Sequence, residues 1–340
     1  MLELINRRVI LSKRPRGYPT PEDFQIVKSE IPEIRDGEIL IRTIWMSLDP
    51  YMRGRVREAG IARRGPVPHP VGDTMPGGTV GKVVSSRNPE IPVGTFVDSQ
   101  AGWQDYIVSN GRGLRQINPE TAPLSTSLGI LGMPGLTAYH GLFEIGRPQV
   151  GETLVVSAAS GAVGAVVGQL GKLAGCKVVG IAGTNEKVNY VTSELGFDAG
   201  INYRTDDIEK ALAKHCPDGV DIYFDNVGGT ISDTVIDNIA DRGKVIVCGQ
   251  ISQYNLPGQE SGPRNLWQFL RKQATIEGFN VGRYADRAEI ARKRLTSLVQ
   301  QGMLKYKEDV IEGLENAPAA FIGLMKGENF GKLLIRVSKD

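Results

Sequence analysis

The run with the plainest chemical meaning is Leu154-Val-Val-Ser-Ala-Ala-Ser-Gly161-Ala-Val-Gly164. Its first residues suit a buried strand, its middle is a turn of small residues, and the stretch after Gly164 has the spacing of a helix. The turn residues Ser160, Gly161, Ala162, Val163 and Gly164 carry the spacing of the dinucleotide fingerprint GxGxxG, with Ala159 in place of the first glycine. On that reading Gly161 lets backbone approach a pyrophosphate, Gly164 lets helix and strand pack closely, and free N–H groups at the helix start meet the anion. The alternative is a purely structural turn, since 42 glycines in 340 residues produce chance matches. The context favours the first reading, because strand–helix units continue beyond the turn. About 20 residues on, where Asp or Glu would hold a ribose 2′-hydroxyl, the chain has Gly183-Thr-Asn-Glu-Lys187. Gly183 leaves space there, Lys187 lies within one helical turn, and Tyr203 and Arg204 come just after the next strand. A lysine beside a 2′-phosphate makes a charge-assisted contact, so the cofactor expected is NADPH, an ordinary solvated helix lysine being the alternative.

Other chemistries lack their residues. Cys176, Cys216 and Cys248 form no CxxC pair, and the histidines are only His69, His140 and His215, so no clustered metal-ligand set is expected. None of the Gly-Lys pairs at Gly81, Gly171, Gly243 and Gly331 is followed by Ser or Thr, which removes the P-loop. There is no Tyr-x-x-x-Lys pair and no GxSxG elbow. The reactive group must then be the cofactor's, with the protein supplying placement and a hydrogen-bond donor.

The elements that must position these residues fall into two blocks. Short β-branched runs at 8–11, 24–27, 38–45, 78–84, 95–97, 103–108 and 114–117 are punctuated by Pro and Gly, which predicts a small, partly closed barrel or sandwich. Helix-like segments come next at 128–131 and 136–143, broken by Pro134 and Gly135. Apolar strands at 154–157, 177–182, 199–202, 221–226 and 244–249 then alternate with amphipathic stretches at 162–173, 185–195, 206–215 and 230–240, the pattern of a parallel sheet covered on both faces. A helix-like stretch at 284–301 closes the block, and a tail helix at 317–326 and strand at 332–337 return to the first domain. The expected division is 1–127 with 304–340, and 128–303. Forty basic against thirty-eight acidic residues leave a charge of +2, too little to suggest nucleic acid or a membrane surface as partner. The first 17 residues carry five basic residues without an apolar core, and the apolar stretch at 154–168 is too short to span a bilayer. A cytoplasmic location is expected.

Eight segments, in order along the chain, resemble one known family. They are Ser47-Leu-Asp-Pro-Tyr-Met-Arg53-Gly, Gly77-Gly-Thr-Val, Leu131-Gly-Met-Pro-Gly-Leu-Thr-Ala-Tyr139, Ala158-Ala-Ser-Gly-Ala-Val-Gly164, Phe224-Asp-Asn-Val-Gly-Gly229, Cys248-Gly-Gln-Ile-Ser-Gln-Tyr254-Asn, and Gly313-Leu-Glu-Asn-Ala-Pro-Ala-Ala-Phe321 with Glu328-Asn-Phe-Gly331. The chain resembles the zinc-independent medium-chain dehydrogenases/reductases of the prostaglandin reductase, leukotriene hydroxydehydrogenase and alkenal double-bond reductase group, in the branch with curcumin-type reductases. The resemblance implies an α/β fold: a Rossmann nucleotide-binding domain plus a β-rich, GroES-like catalytic domain with a partly open barrel. It implies a homodimer, NADPH as hydride donor, and reduction of the carbon–carbon double bond of α,β-unsaturated ketones and aldehydes. By position, Lys187 and Tyr203 match the 2′-phosphate contacts, Asn226 the residue beside the ribose and diphosphate, and Asn329 an asparagine reaching the nicotinamide end. Tyr254 matches a tyrosine near the substrate carbonyl, and Tyr51, Arg53 and Met133 fall in the segments lining the substrate cleft. A neutral Tyr254 hydroxyl suits an enolate oxygen, as does the cofactor ribose hydroxyl beside it, and Tyr51 is a second catalytic candidate. Arg53 has an anchoring salt bridge as its alternative role. The turn departs from the usual Ser-x-Glu-Lys in having Thr184-Asn185, for which a modest effect on phosphate binding is expected. Open alternatives are a quinone reductase or allylic-alcohol dehydrogenase of the same superfamily, and a non-catalytic NADPH-binding sensor. Pocket shape is expected from the loops at 55–70, with Arg55, Arg57, Arg63 and Arg64, and at 257–267.

Overall fold

The computed structural model describes residues 5–57, 67–258, 262–263 and 265–339, so Arg63 and Arg64 lie outside the described residues. The chain divides into two compact units. One comprises Met1–Leu128, Glu308–Asn329 and Leu333–Asp340; the other comprises Gly129–Lys307 and Phe330–Lys332.

In the first unit, β1 (Ile5–Leu11) and β2 (Phe24–Glu30) pair antiparallel in a ribbon. Then come β3 (Ile39–Ser47), the one-turn helix α1 (Tyr51–Arg55), β4 (Thr79–Ser86), β5 (Phe96–Ser99), β6 (Tyr106–Ser109) and β7 (Arg115–Ile117). Side chains alternate across a strand, and β3 uses both faces. Ile39 and Ile41 pack with Val83, Ile91 and Val97, whereas Ile44 packs with Val80, Leu124, Leu128 and Leu334.

The second unit opens with α2 (Met133–His140), which continues into a wider π-type turn at Gly141–Gly146. Pro134, expected to break this helix, sits in its first turn, where its missing N–H has no intrahelical partner to lose. Six strands and their connecting helices come next: β8 (Thr153–Ser157), α3 (Gly164–Leu173), β9 (Lys177–Ala182), α4 (Asn185–Asn189), β10 (Ala199–Asn202), α5 (Ile208–His215), β11 (Val220–Asp225), α6 (Gly229–Asp237), β12 (Ile239–Val247), α7 (Leu266–Lys272) and β13 (Thr275–Gly278). All pairs are parallel, in the order β10-β9-β8-β11-β12-β13. The order reverses between β8 and β11, so two neighbouring carboxyl ends lead their connections to opposite sides and open a crevice there. The strands are apolar because both faces are covered: Val155, Val179, Ile201, Tyr223 and Val245 share one core with Leu212, Val235 and Ile236 of the helices. The sixth strand is absent from the sequence-based expectation; all four of its residues are exposed, so it lacks the apolar run that marks the others.

After α8 (Ala288–Gln300), the chain forms β14 (Glu308–Glu312), α9 (Ala317–Met325) and β15 (Lys332–Arg336). These strands complete the antiparallel sheet of the first unit, ordered β14-β15-β3-β4-β5-β7 with β6 also on β3. Phe321 of α9 joins Phe24 and Trp103 in an aromatic cluster with centroids 5.6–6.2 Å apart. The architecture is the expected α/β class, a Rossmann sheet and a β-rich sheet that stays open at its ends. Among the described residues no helix is long and apolar enough to cross a membrane.

Candidate cofactor and active site

The glycine turn lies where β8 gives way to α3. Ala158 takes a left-handed conformation at φ 49°, uncommon for a residue with a side chain, and its carbonyl accepts the Gly161 N–H at 2.9 Å. A Cβ at Gly164 would stand 2.4 Å from that same carbonyl oxygen, so only glycine fits the start of α3. Ser160 is buried, while Gly161, Ala162 and Val163 are partly exposed. The turn therefore presents backbone amides at the amino end of a ten-residue helix, a suitable cradle for an anionic group.

The neighbouring strand ends supply the remaining cofactor candidates. Thr184 caps α4 by accepting the Lys187 N–H at 3.2 Å, and Asn202 at the end of β10 donates to Asn185 Oδ1 at 2.7 Å. The Tyr203 ring lies over Gly183: a Cβ there would be 2.9 Å from the phenol oxygen. Tyr203 is 40% exposed, and the Arg204 guanidinium stands 5.8 Å from its ring centroid. Gly183, Tyr203 and Arg204 thus meet in a half-open corner after β9 and β10, and Lys187 follows in the first turn of α4. No carboxylate occupies the Gly183 position. On the other side of the switch point, Asn226 is held by Ser157, its N–H donating to Oγ at 2.9 Å and its Nδ2 to the carbonyl at 2.8 Å.

Tyr254 comes after β12, at the end of a short 3-10 turn (Ile251–Gln253). Its phenol oxygen accepts the Gln250 N–H at 3.3 Å. Burial, together with Cys248 and Asp225, raises its pKa above the ordinary phenol range, against the Gln250 N–H, which lowers it. Cys248 is pushed up to about 12 by burial and Asp225, so its thiol stays protonated. Met133 begins α2 and is 37% exposed.

Three candidates belong to the first unit. Tyr51 starts α1 and is 42% exposed; desolvation and the charge of Asp49 raise its phenol, against Arg55. Arg53, expected on the cleft wall, is instead 2% exposed, and its guanidinium donates to the carbonyls of Pro15 and Gly17 at 3.3 and 2.6 Å. That geometry suits an anchoring role, made through backbone carbonyls. Burial and Arg57 pull its pKa down to about 10, which leaves it charged at neutral pH. Asn329 is partly buried, just beyond α9.

Sequence reasoning missed Asp225. This carboxylate, 1% exposed, accepts from six donors: the Tyr223 hydroxyl, the Val227 and Gly228 amides, the Ser157 and Ser232 hydroxyls, and the Gln250 side chain, at 2.9–3.3 Å. The available signal was an aspartate directly after the run Ile222-Tyr223-Phe224, since a buried charge survives only with such partners. His140, also buried, stacks on Tyr284 at 4.8 Å, and among the described residues no three His, Cys, Asp or Glu side chains gather to hold a metal.

The chain matches two family models, one described as the N-terminal domain of oxidoreductase over residues 7–117 and one as zinc-binding dehydrogenase over residues 162–297. It is 44% identical over 340 residues to the NADPH-dependent curcumin reductase of Escherichia coli, covering 98% of each chain. It is 45% identical over 330 residues to prostaglandin reductase 1 of Oryctolagus cuniculus, covering 95% of this chain and 90% of that one. The crystal structure of CurA from Vibrio vulnificus in complex with NADPH superposes with a TM-score of 0.93 at 43% identity, over 98% of this chain and all of that one. With identities of this size along nearly its whole length, the chain belongs to the zinc-independent medium-chain dehydrogenase/reductase family, in the group of the curcumin and prostaglandin reductases.

Proposed function

We propose that this protein is an NADPH-dependent reductase of the carbon–carbon double bond in α,β-unsaturated ketones and aldehydes. The observation that carries the reading is the placement of the glycine turn, the Gly183–Lys187–Tyr203 corner, Asn226 and Tyr254 together on the carboxyl edge of one parallel sheet, on either side of its switch point. That edge is where open α/β sheets bind dinucleotides. The kinship to reductases named for NADPH supports the choice of cofactor.

In this reading the amides of Ser160 and Ala162–Gly164 hold the pyrophosphate while Gly161 lets the backbone approach it, Lys187 and Tyr203 hold the 2′-phosphate, and Asn226 the ribose and diphosphate, with Asn329 at the nicotinamide end. NADPH, when bound, supplies a hydride to the β-carbon of the enone. The conjugated electron pair then moves onto the carbonyl oxygen as an enolate, and a proton from water completes the α-carbon. Tyr254 donates a hydrogen bond to that oxygen; its raised pKa keeps the phenol neutral at pH 7. Tyr51 and Met133 serve the substrate side, and Arg53 holds the turn at 15–17. The units are assigned as a catalytic domain and a nucleotide-binding domain, and the assembly as a homodimer.

The test is oxidation of NADPH, and separately of NADH, against an alkenal, a long-chain enone and a quinone. We expect turnover of the alkenal or enone with NADPH, unchanged by a chelator. Turnover of the quinone alone would assign the chain to a quinone reductase activity, and binding without turnover would make it a sensor.

A further inference from the structure

We propose that Gln250 is a positioning residue for Tyr254, acting through the buried carboxylate of Asp225. The inference rests on Tyr254 being the donor to the substrate oxygen and deepens that reading.

A phenol oxygen can donate one proton and accept at its lone pairs. In this structure the acceptor side of Tyr254 is met by the Gln250 backbone N–H at 3.3 Å, a group that can only donate. The tyrosine proton is therefore left to point elsewhere, which is what a donor to an enolate needs. The direction of the hydroxyl depends on where the Gln250 amide sits, and three bonds to Asp225 fix that segment. The Cys248 and Gly249 amides donate to the Asp225 carbonyl at 2.9 and 3.0 Å, and the Gln250 Nε2 donates to the Asp225 carboxylate at 3.0 Å. The side chain is also packed from behind: a Cβ on Gly228, whose φ is 72°, would come within 2.2 Å of Gln250 Oε1. Farther along, Ser252 binds the Val227 carbonyl through both its N–H, at 3.1 Å, and its hydroxyl, at 2.7 Å. Residues 248–252 are thus clamped to residues 225–228, and among the described residues Gln250 is the one side chain of that segment that reaches the carboxylate.

The experiment is a double-mutant cycle with Gln250→Met and Tyr254→Phe. Methionine keeps the length and the packing on Gly228 but cannot donate, and Asp225 retains five other donors, so the fold should survive; thermal melting checks this. We expect Gln250→Met to lower kcat on a good enone roughly tenfold, as small misplacements of catalytic groups do, with the KM for NADPH unchanged. In the Tyr254→Phe background the same change should have no further effect, because the group it positions has gone. The Tyr254 phenol, followed by tyrosinate absorbance against the Phe variant, should titrate at higher pH in Gln250→Met as the N–H contact weakens. Additive losses in kcat, or an unchanged kcat in Gln250→Met while Tyr254→Phe is impaired, would overturn the role of Gln250 alone. An unchanged kcat in Tyr254→Phe would remove the tyrosine from the chemistry and the positioning role with it.

Discussion

Lys187 can be tested by itself. Its backbone amide is tied to Thr184, which fixes the first turn of α4 just after Gly183, the glycine covered by the Tyr203 ring. A lysine on a phosphate contributes about 1.5–3 kcal/mol, so Lys187→Ala should weaken NADPH binding roughly ten- to a hundredfold. NADH, lacking the phosphate, should be held nearly as before. Equal losses for both cofactors in a fluorescence titration would mean that the lysine serves the helix and not the phosphate. The sequence singles this residue out because its signal is local: a strand end, a missing carboxylate and a cation one turn later. It does not single out Asp225 and Gln250. They stand 25 positions apart, and only the pairing of β11 with β12 brings the second to the first. Arg53 was legible only as a choice between the cleft and an anchoring role: its motif named the residue, but the loop carbonyls its guanidinium meets lie some 36 positions earlier.

Elements were legible in proportion to how completely they are buried. β8 reads as a strand because Leu154, Val155 and Val156 are all inaccessible, and a strand covered on both faces must be apolar throughout. β13 and β14 carry polar or exposed residues, so periodicity had nothing to detect. The one-turn helix α1 is too short to show a period at all. At this scale the sharpest test is the junction of β8 and α3. Gly164→Ala would push a methyl carbon to 2.4 Å from the Ala158 carbonyl oxygen, against backbone that has no rotamer to change. Overpacking of this kind costs about 1–3 kcal/mol. The variant should melt several degrees lower and lose affinity for NADPH, since the turn must shift away from the cradle. An unchanged melting temperature with unchanged affinity would show that the junction has slack. Gly161→Ala meets the same carbonyl at 3.2 Å and should be the milder of the two.

For the molecule as a whole, the sheet of the second unit ends in a strand with its outer edge unpaired among the described residues. All of β13 is exposed, Ile276 at 52%, and the preceding helix α7 presents Leu266, Trp267 and Leu270, each about two-thirds exposed. An edge strand with free N–H and C=O groups invites pairing, and monomeric proteins blunt such edges with charge or proline. Here Glu277 is the single charge on β13, after Thr275 and Ile276. In the proposed homodimer, two β13 strands meeting antiparallel about a two-fold axis would join two six-stranded sheets into one. The proposed homodimer would then be made through this edge. Ile276→Lys combined with Trp267→Glu should convert a dimer to a monomer in sedimentation velocity, with the circular dichroism of each subunit retained. A wild-type chain that sediments as a monomer at micromolar concentration would reject the dimer. A double variant that stays dimeric would move the interface to another surface of the molecule. Tyr254 and the cofactor candidates of the second unit lie on the carboxyl edge of the same sheet, not on its lateral edge, so the monomeric variant should still bind NADPH. Loss of cofactor binding on dissociation would make the second copy part of the site.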